Sequence, residues 1–419
     1  MPFPSSALPP DTDHVTTHMA DTARMLGQWG FCALIAIGAC ANVTAAECKR
    51  FDVTSLAVMP SGEVLAGGAR ETPTSTGIDA FLGRKLGLPG VRTDAVIYRS
   101  TDGGQSWMPT ESIVSSEPSD RVPSLPPLTV VAVAAVPDGP LLASVAIVKA
   151  RRATESPLRE NRLYRSTDTG RSWTDITDLC KCGGAIFRFA VGAGGTLFAF
   201  AGREHGLLRS ADHGNTWMET GLRAYRSSSL VADLRGHAYT LAYGPNGPGF
   251  YRSTDNGLTW TRLPVQTPDG NYGDIAADSS GRVALVGGYR QRFGTTQNVL
   301  FLSSDDGEKW DMIPVPDTGQ ITHVALGAGG ALLVRGSTVP AMNTTGPAGL
   351  FRSLDRGTTW HALKAAPRPE EVRSLRVPPD GSLIMALGLA YEERPPCGGA
   401  VYRSADGGVT WAKHNLFAQ

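Results

Sequence analysis

The 419-residue chain lacks net charge, since 39 Lys and Arg balance 39 Asp and Glu. A polyanion therefore meets no general electrostatic footprint, which sets nucleic acid aside as a partner. Familiar catalytic strings are also missing. No H-E-x-x-H, G-x-S-x-G or P-loop pattern occurs, so zincin, serine-hydrolase and nucleotide-phosphate chemistry have no local basis. Cys180-Lys181-Cys182 has no companion His or Cys pair, so neither a metal nor a cofactor is expected. The histidines beyond the first 46 residues, His205, His213, His237, His323, His361 and His414, are scattered. His323, at the head of an apolar strand, is the one placed either to act on a ligand or to be a satisfied structural side chain.

One apolar run stands out, Met25 to Cys40, behind Arg24 and ahead of the small residues Val43-Thr44-Ala45-Ala46. It is short and Gly-bearing for a membrane span. Residues 1–46 read as a signal peptide cleaved near Ala46, with translation starting at Met1, Met19 or Met25. Ile37-Gly38-Ala39-Cys40 leaves open a lipid anchor on Cys40, and a buried helix is the third reading. An exported chain matures in an oxidising compartment, so Cys48, Cys180, Cys182 and Cys397 become a question of pairing. Ring closure would bring Cys48 near Cys397. Residues 47–419 read as one domain, rich in Gly and Pro (49 and 29), as suits many short strands and tight turns.

What the chain has in abundance is one sentence written seven times: YRSTDGGQSW (98–107), YRSTDTGRSW (164–173), LRSADHGNTW (208–217), YRSTDNGLTW (251–260), FLSSDDGEKW (301–310), FRSLDRGTTW (351–360) and YRSADGGVTW (402–411). Ser ends one strand, Asp accepts from turn amides, Gly supplies a positive φ, and Trp opens the returning strand. Asp102, Asp168, Asp212, Asp255, Asp305, Asp355 and Asp406 are thus structural. The Trp of each copy is expected to fill a seam between sheets rather than to stack on a ligand. The pattern S-x-D-x-G-x-x-W resembles the Asp-box, or bacterial neuraminidase repeat, of sialidase-like β-propellers.

Ahead of each copy stands a second pattern, two apolar strands about a Gly turn, as in Val53 to Gly67 and THVALGAGGALLVRG (322–336). Each unit is therefore four antiparallel strands, a-b-c-d, and seven units predict an all-β, seven-bladed propeller with the repeat in every c-d turn. No spare strand is left to clasp the ring by exchange. Alternating direction sends a-b and c-d turns to one face and b-c and d-a connections to the other. The first face is uniform, whereas all the variable length falls on the second, where specificity is expected.

Arginines crowd those insertions: Arg70, Arg84, Arg92, Arg151, Arg152, Arg159, Arg162, Arg203, Arg290, Arg292 and Arg394, with Lys85, Tyr289 and Tyr391. Arg forks suit carboxylates and phosphates. Arg151, Arg152, Arg203, Arg290, Arg292, Tyr289, Tyr391 and Arg394 are the ligand-binding candidates, weighed against an ordinary solvated loop surface. The sialidase resemblance implies an Arg-Ile-Pro string and three carboxylate-binding arginines. No Arg-Ile-Pro occurs, Met312-Ile313-Pro314 being the nearest, so no catalytic residue carries over. Glycoside hydrolysis would need two suitably spaced carboxylates, for which Asp274, Asp317, Glu370 and Glu371 lie near the starts of a strands. Two functions remain: a non-catalytic exported platform for a protein or glycan, similar to photosystem II assembly-factor and sortilin-type propellers, and a diverged sialidase-like or xyloglucan-processing hydrolase.

Overall fold

Every copy of the repeat closes a hairpin, and these hairpins set the architecture. The computed structural model describes residues 50 to 416 apart from 60, 74–90, 117–127, 150–157, 181–185, 246, 266–270, 291–295, 316–317, 319, 338–348, 365, 367–371 and 388–399. Seven antiparallel sheets each take four consecutive strands in chain order, so the expected seven-bladed propeller is what forms. The a strands are Arg50–Val58, Leu128–Ala135, Arg188–Val191, Arg226–Ala232, Asn271–Ala277, Gln320–Leu326 and Val372–Arg376. Each approaches the a strand of the next blade, and the seventh approaches the first, which makes them the wall of a closed ring.

The core is divided among the seams between blades. Leu65 and Ile97 of blade one meet Val130, Val133 and Val145 of blade two. Tyr239 and Phe250 of blade four meet Ile275 and Leu285 of blade five. The ring shuts the same way, with Ile384, Ala386, Val401 and Leu416 of blade seven packed on Phe51, Val53, Tyr98 and Trp107 of blade one. Strands b sit inside this sandwich and are buried on both faces, as at Leu197-Phe198-Ala199, so they read as unbroken apolar runs rather than alternations. Strands d are shorter than the five or six residues typical of a strand. Most have only two residues, Met108–Pro109 and Thr261–Arg262 among them, and both residues are exposed. An outer edge has no neighbour to bury against, and a brief edge also offers little to a foreign strand. Blade one adds Val114–Ser115, which pairs with strand c beside its d strand.

The repeated turn is built alike in all blades, save that Lys309 in blade five gives Asp305 only its amide where the others add a hydroxyl. In blade four, Ser253 Oγ donates to Asp255 Oδ1 at 2.8 Å and accepts from Gly257 N at 2.8 Å, while Thr259 gives its amide to Oδ1 at 2.9 Å and its hydroxyl to Oδ2 at 2.6 Å. The turn needs two consecutive left-handed residues. Gly257 (φ 83°) is preceded by Asn256 (φ 59°), and Thr169, His213, Asp306 and Arg356 take the same strained conformation elsewhere. Because the Ser and Thr hydroxyls and turn amides all point at one carboxylate, the ionised form is favoured. The Ser172 hydroxyl and amide hold Asp168 at about 2, and those of Thr359 do the same for Asp355. Burial pushes Asp102 and Asp255 up, yet the equivalent hydrogen bonds bring them to about 2 as well.

Each Trp packs against the preceding blade. Trp260 meets Phe198 edge to face with ring centroids 6.2 Å apart, and Trp310 meets Phe250 at 5.3 Å. The Arg before the motif Ser faces the other way. Arg252 Nη1 donates to Asp306 O of the next blade at 2.7 Å, Arg352 Nη1 to Gly407 O at 2.7 Å, and Arg403 Nε to Gly103 O at 3.0 Å, across the seam that joins blade seven to blade one. Leu302 stands at this position in blade five. Its seam uses Arg282 Nη2 to Gly327 O at 2.8 Å and Arg356 Nη2 to Ser304 Oγ at 2.9 Å.

Candidate functional site

Six of the seven a strands carry a β-bulge at the same height, between Val53 and Ser55, Val130 and Ala132, Ser227 and Ser229, Tyr272 and Asp274, Ile321 and His323, and Val372 and Ser374. A bulge re-aims the side chains beside it. Pairing each a strand with the fourth residue of its b strand puts Ser55, Ala132, Arg188, Ser229, Asp274, His323 and Ser374 at one level around the ring. That level lies toward the starts of the a strands, hence toward the face of the b-c and d-a connections.

Polar contacts run from blade to blade near this height. Ser229 Oγ donates to Asp274 Oδ1 at 2.8 Å, and Val324 N to Asp274 Oδ2 at 3.3 Å, so one carboxylate ties blades four, five and six. His323 ties six to seven. Its Nε2 lies 3.2 Å from Arg373 O, and since a carbonyl can only accept, Nε2 carries the hydrogen. Nδ1 then accepts from the Thr322 hydroxyl at 2.9 Å, whose oxygen accepts from Arg335 Nη1 at 2.9 Å. Burial among the walls lowers the His323 pKa, Asp274 opposes this, and Arg335 and Arg376 add to it. A neutral imidazole with both nitrogens engaged is a structural side chain, the second of the two roles open to it. Arg373 Nη1 reaches Asp52 Oδ2 at 3.7 Å, and Thr54 Oγ1 donates to Val130 O at 2.6 Å, continuing the series through blade one to blade two.

Arg188 is different. Among the described residues its guanidinium has no hydrogen-bond or ion-pair partner, although the side chain keeps contact with solvent. Burial lowers its pKa, Asp274 of blade five raises it, and Arg376 of blade seven lowers it again. A side chain from blade three that feels both lies in the channel. Arg376 occupies a level where the other six blades have Ala57, Ala134, Ala190, Val231, Ala276 and Ala325. Among the described residues, the charges felt at Arg188 and His323 are therefore one engaged carboxylate, Asp274, against the guanidiniums of Arg335 and Arg376.

The loop candidates fare unevenly. Arg151, Arg152, Arg292, Tyr391, Arg394, Asp317, Glu370 and Glu371 lie outside the described residues. So do Arg84, Lys85, residues 1–49, Cys182 and Cys397. Of Arg203, Tyr289 and Arg290 the backbone alone is described, Arg203 in a helical turn, Gly202–His205, and the other two at the end of Val283–Arg290. Besides Arg290, four expected loop arginines stand on strands instead, Arg159 among them within Leu158–Ser166 with its backbone alone described. Strands b and c of blade one run to Pro73 and from Val91, so Arg70 and Arg92 stand on strands, where both pair with Asp94 at 3.0 Å. Arg162 is likewise on a strand, bound by Glu160 at 2.6 Å and Asp175 at 2.8 Å. Arg70, Arg92 and Arg162 are neutralised in place. On the opposite face, Asp233, His237 and Asp306 bring ligand atoms within 4.8 Å of one another, but Arg235 Nη2 lies 2.7 Å from Asp233 and 2.5 Å from Asp306 and fills the carboxylate demand.

Residues 154–378 match the model of the DUF6242 beta propeller domain, more than half of the chain. The chain belongs to the DUF6242 β-propeller family. Curated proteins resembling this DUF6242 propeller include a xyloglucanase of Paenibacillus sp, 28% identical over 237 residues, which are 47% of this chain and 23% of that protein. Xyloglucanase Xgh74A of Acetivibrio thermocellus is 23% identical over 245 residues, 49% of this chain and 28% of that one. The chain thus spans about a quarter of the length of these relatives. Among solved structures, the GH74 xyloglucanase from Xanthomonas campestris is 15% identical with a TM-score of 0.47, covering 88% of this chain and 68% of that one. No described helix of the DUF6242 propeller is long and apolar enough to cross a membrane.

Proposed function

We propose that the chain is an exported, non-catalytic platform that holds a protein or glycan partner against the channel mouth on its b-c/d-a face. The observation that carries this is Arg188, a guanidinium without a partner among the described residues, in a cation-rich channel whose carboxylate, Asp274, is already engaged on both oxygens. Such a site favours an anionic group on the ligand, and among the described residues Asp274, the carboxylate at this level, is not idle. Export follows from the leader read in residues 1–46. The Asp-box resemblance, the Cys48–Cys397 pairing and the loop candidates Arg151, Arg152, Arg203, Tyr289, Arg290, Arg292, Tyr391 and Arg394 belong to the same proposal.

A second reading, glycoside hydrolysis, draws on the relatives named as xyloglucanases. Assaying the mature protein on sialyl, xyloglucan and other neutral-glycan chromogenic substrates beside a glycan and peptide array separates the two. The platform predicts capture on the array without turnover. Xyloglucan cleavage that disappears in Asp274→Asn would overturn it.

A further inference from the structure

The seven seams are not fastened alike. At or beside the height of Arg188, six of them carry a bond between blades among the described residues. Thr54 ties blade one to blade two, and Ser144 Oγ of blade two donates at 2.7 Å to Ile186 O, just ahead of the a strand of blade three. Asp274 serves two seams, His323 a fifth, and Arg373 with Asp52 a sixth. Between blades three and four no such bond is made among the described residues. Phe200 stands where blade two has Ser144, and among the described residues Arg188 takes no partner. The described bonds across this seam all lie on its Asp-box edge: Arg209 Nε to Asn256 O at 2.6 Å, and Asn256 Nδ2 to Thr196 Oγ1 at 2.7 Å and Ala193 O at 3.3 Å.

Packing on this seam is divided as well. The alternate b-strand residues that face the preceding blade are Leu141, Ala143 and Val145 in blade two, but Ala238, Thr240 and Ala242 in blade four. Thr240 Oγ1 donates to Ser229 O at 3.0 Å and lies 3.1 Å from Ser227 Oγ, so both buried hydroxyls turn back into their own blade. They part the apolar contacts into Phe198, Leu230 and Ala238 near the Asp-box edge and Phe200, Ala224 and Ala242 near the other. An edge held by a few apolar side chains and no directional bond opens at less cost than one bonded along its height. We infer that the ring opens between blades three and four, turning about the Asp-box edge, so that the channel mouth widens beside Arg188. Residues 220–225, which join these blades on the opening edge, span up to about 20 Å when extended and can follow the movement. The opening belongs to the ligand-free chain and stands whether or not the platform reading does.

Cysteine reporters in the mature protein test this. Ala242→Cys and Ala238→Cys place thiols on one face of one strand, at the opening and the hinged edge, and both alanines are sealed in the closed ring (2% and 0% exposed). Ala386→Cys is the control, at the height of Phe200 in the seam between blades seven and one. Each is treated with N-ethylmaleimide under native conditions, with the labelled peptide identified by mass and its rate taken relative to the same thiol in the unfolded chain. Ala242→Cys is expected to label at least tenfold faster than either of the others. Its rate should hardly change in low urea, because a local opening exposes little surface. If one of these variants does not keep the parent melting temperature, Ala224→Cys against Ala190→Cys repeats the comparison. Ala224 is the better sealed of that pair in the closed ring (3% against 9%), yet it is expected to label at least tenfold faster. Equal rates at 242 and 238, equal rates at 242 and 386, or labelling at 242 that follows global unfolding in urea would each overturn the opening.

Discussion

Trp260 and Trp310 occupy the same position of the repeat, are both half-buried, and both meet a Phe of the preceding blade edge to face. They differ at one atom. Trp310 Nε1 donates to Gly307 O at 2.8 Å, whereas Trp260 Nε1 is sealed from solvent with no acceptor among the described residues. Replacing either by Phe removes a similar amount of packed ring, so that loss cancels in the comparison. Trp310→Phe in addition forfeits a hydrogen bond of net worth about 1 kcal/mol, while Trp260→Phe removes a buried unsatisfied donor whose desolvation costs about 1–3 kcal/mol. The two variants should therefore differ by about 2 kcal/mol or more, with Trp260→Phe the more stable. Urea unfolding followed by far-ultraviolet dichroism reads this as a difference in midpoint at unchanged slope. Equal midpoints, or Trp310→Phe the more stable, would refute the reasoning that the indole N–H distinguishes these seams.

Acid sensitivity follows from the turn carboxylates. Asp102, Asp168, Asp255 and Asp355 fold with pKa about 2 against an ordinary 3.8, so between these values the unfolded chain binds more protons. Their contribution is complete above roughly pH 4 and lost as pH falls toward 2, and the double variant Asp168→Asn, Asp355→Asn should show a flatter loss in acid titrations of stability. Arg403→Ala removes the donor to Gly103 O and a 2.8 Å bond to Asp380. It should cost about 1–3 kcal/mol and raise amide exchange in blades one and seven ahead of blade four. Mass mapping of the mature protein should find Cys48 joined to Cys397, and a Cys48–Cys180 or Cys48–Cys182 peptide would remove that bond from the account.

The scaffold was legible because each unit repeats its chemistry. Buried serines such as Ser253 and Ser353, double-sided b strands and the Gly of each turn impose themselves seven times, and any local ambiguity averages out. The left-handed residue ahead of that Gly was not, since Thr169, His213, Asn256, Asp306 and Arg356 share no side-chain type. The channel was half visible. Asp274 and His323 attract notice as ionisable residues near strand starts, but their engagement across seams depends on bulges, and a bulge leaves no residue signature. Arg188 and Arg376 were not singled out, each being one charge inside an otherwise apolar strand. Superposing the seven a strands would have singled out Arg376, which stands among six Ala or Val residues. Loop position misled for Arg70, Arg92 and Arg162, because long hairpins extend strand pairing well beyond the apolar run that announces it.

The seams also impose an order in time. Each Trp needs the blade before it, while most of the clasping arginines need the blade after it, so a unit is finished by its successor. The exception is the first. Trp107 and the Gly103 carbonyl wait for Ile384 and Arg403, some 300 positions later. A chain emerging N-terminus first from a ribosome or a translocation pore must keep blade one incomplete until nearly its whole length is through. That delay leaves the apolar seam face of blade one open to water throughout passage.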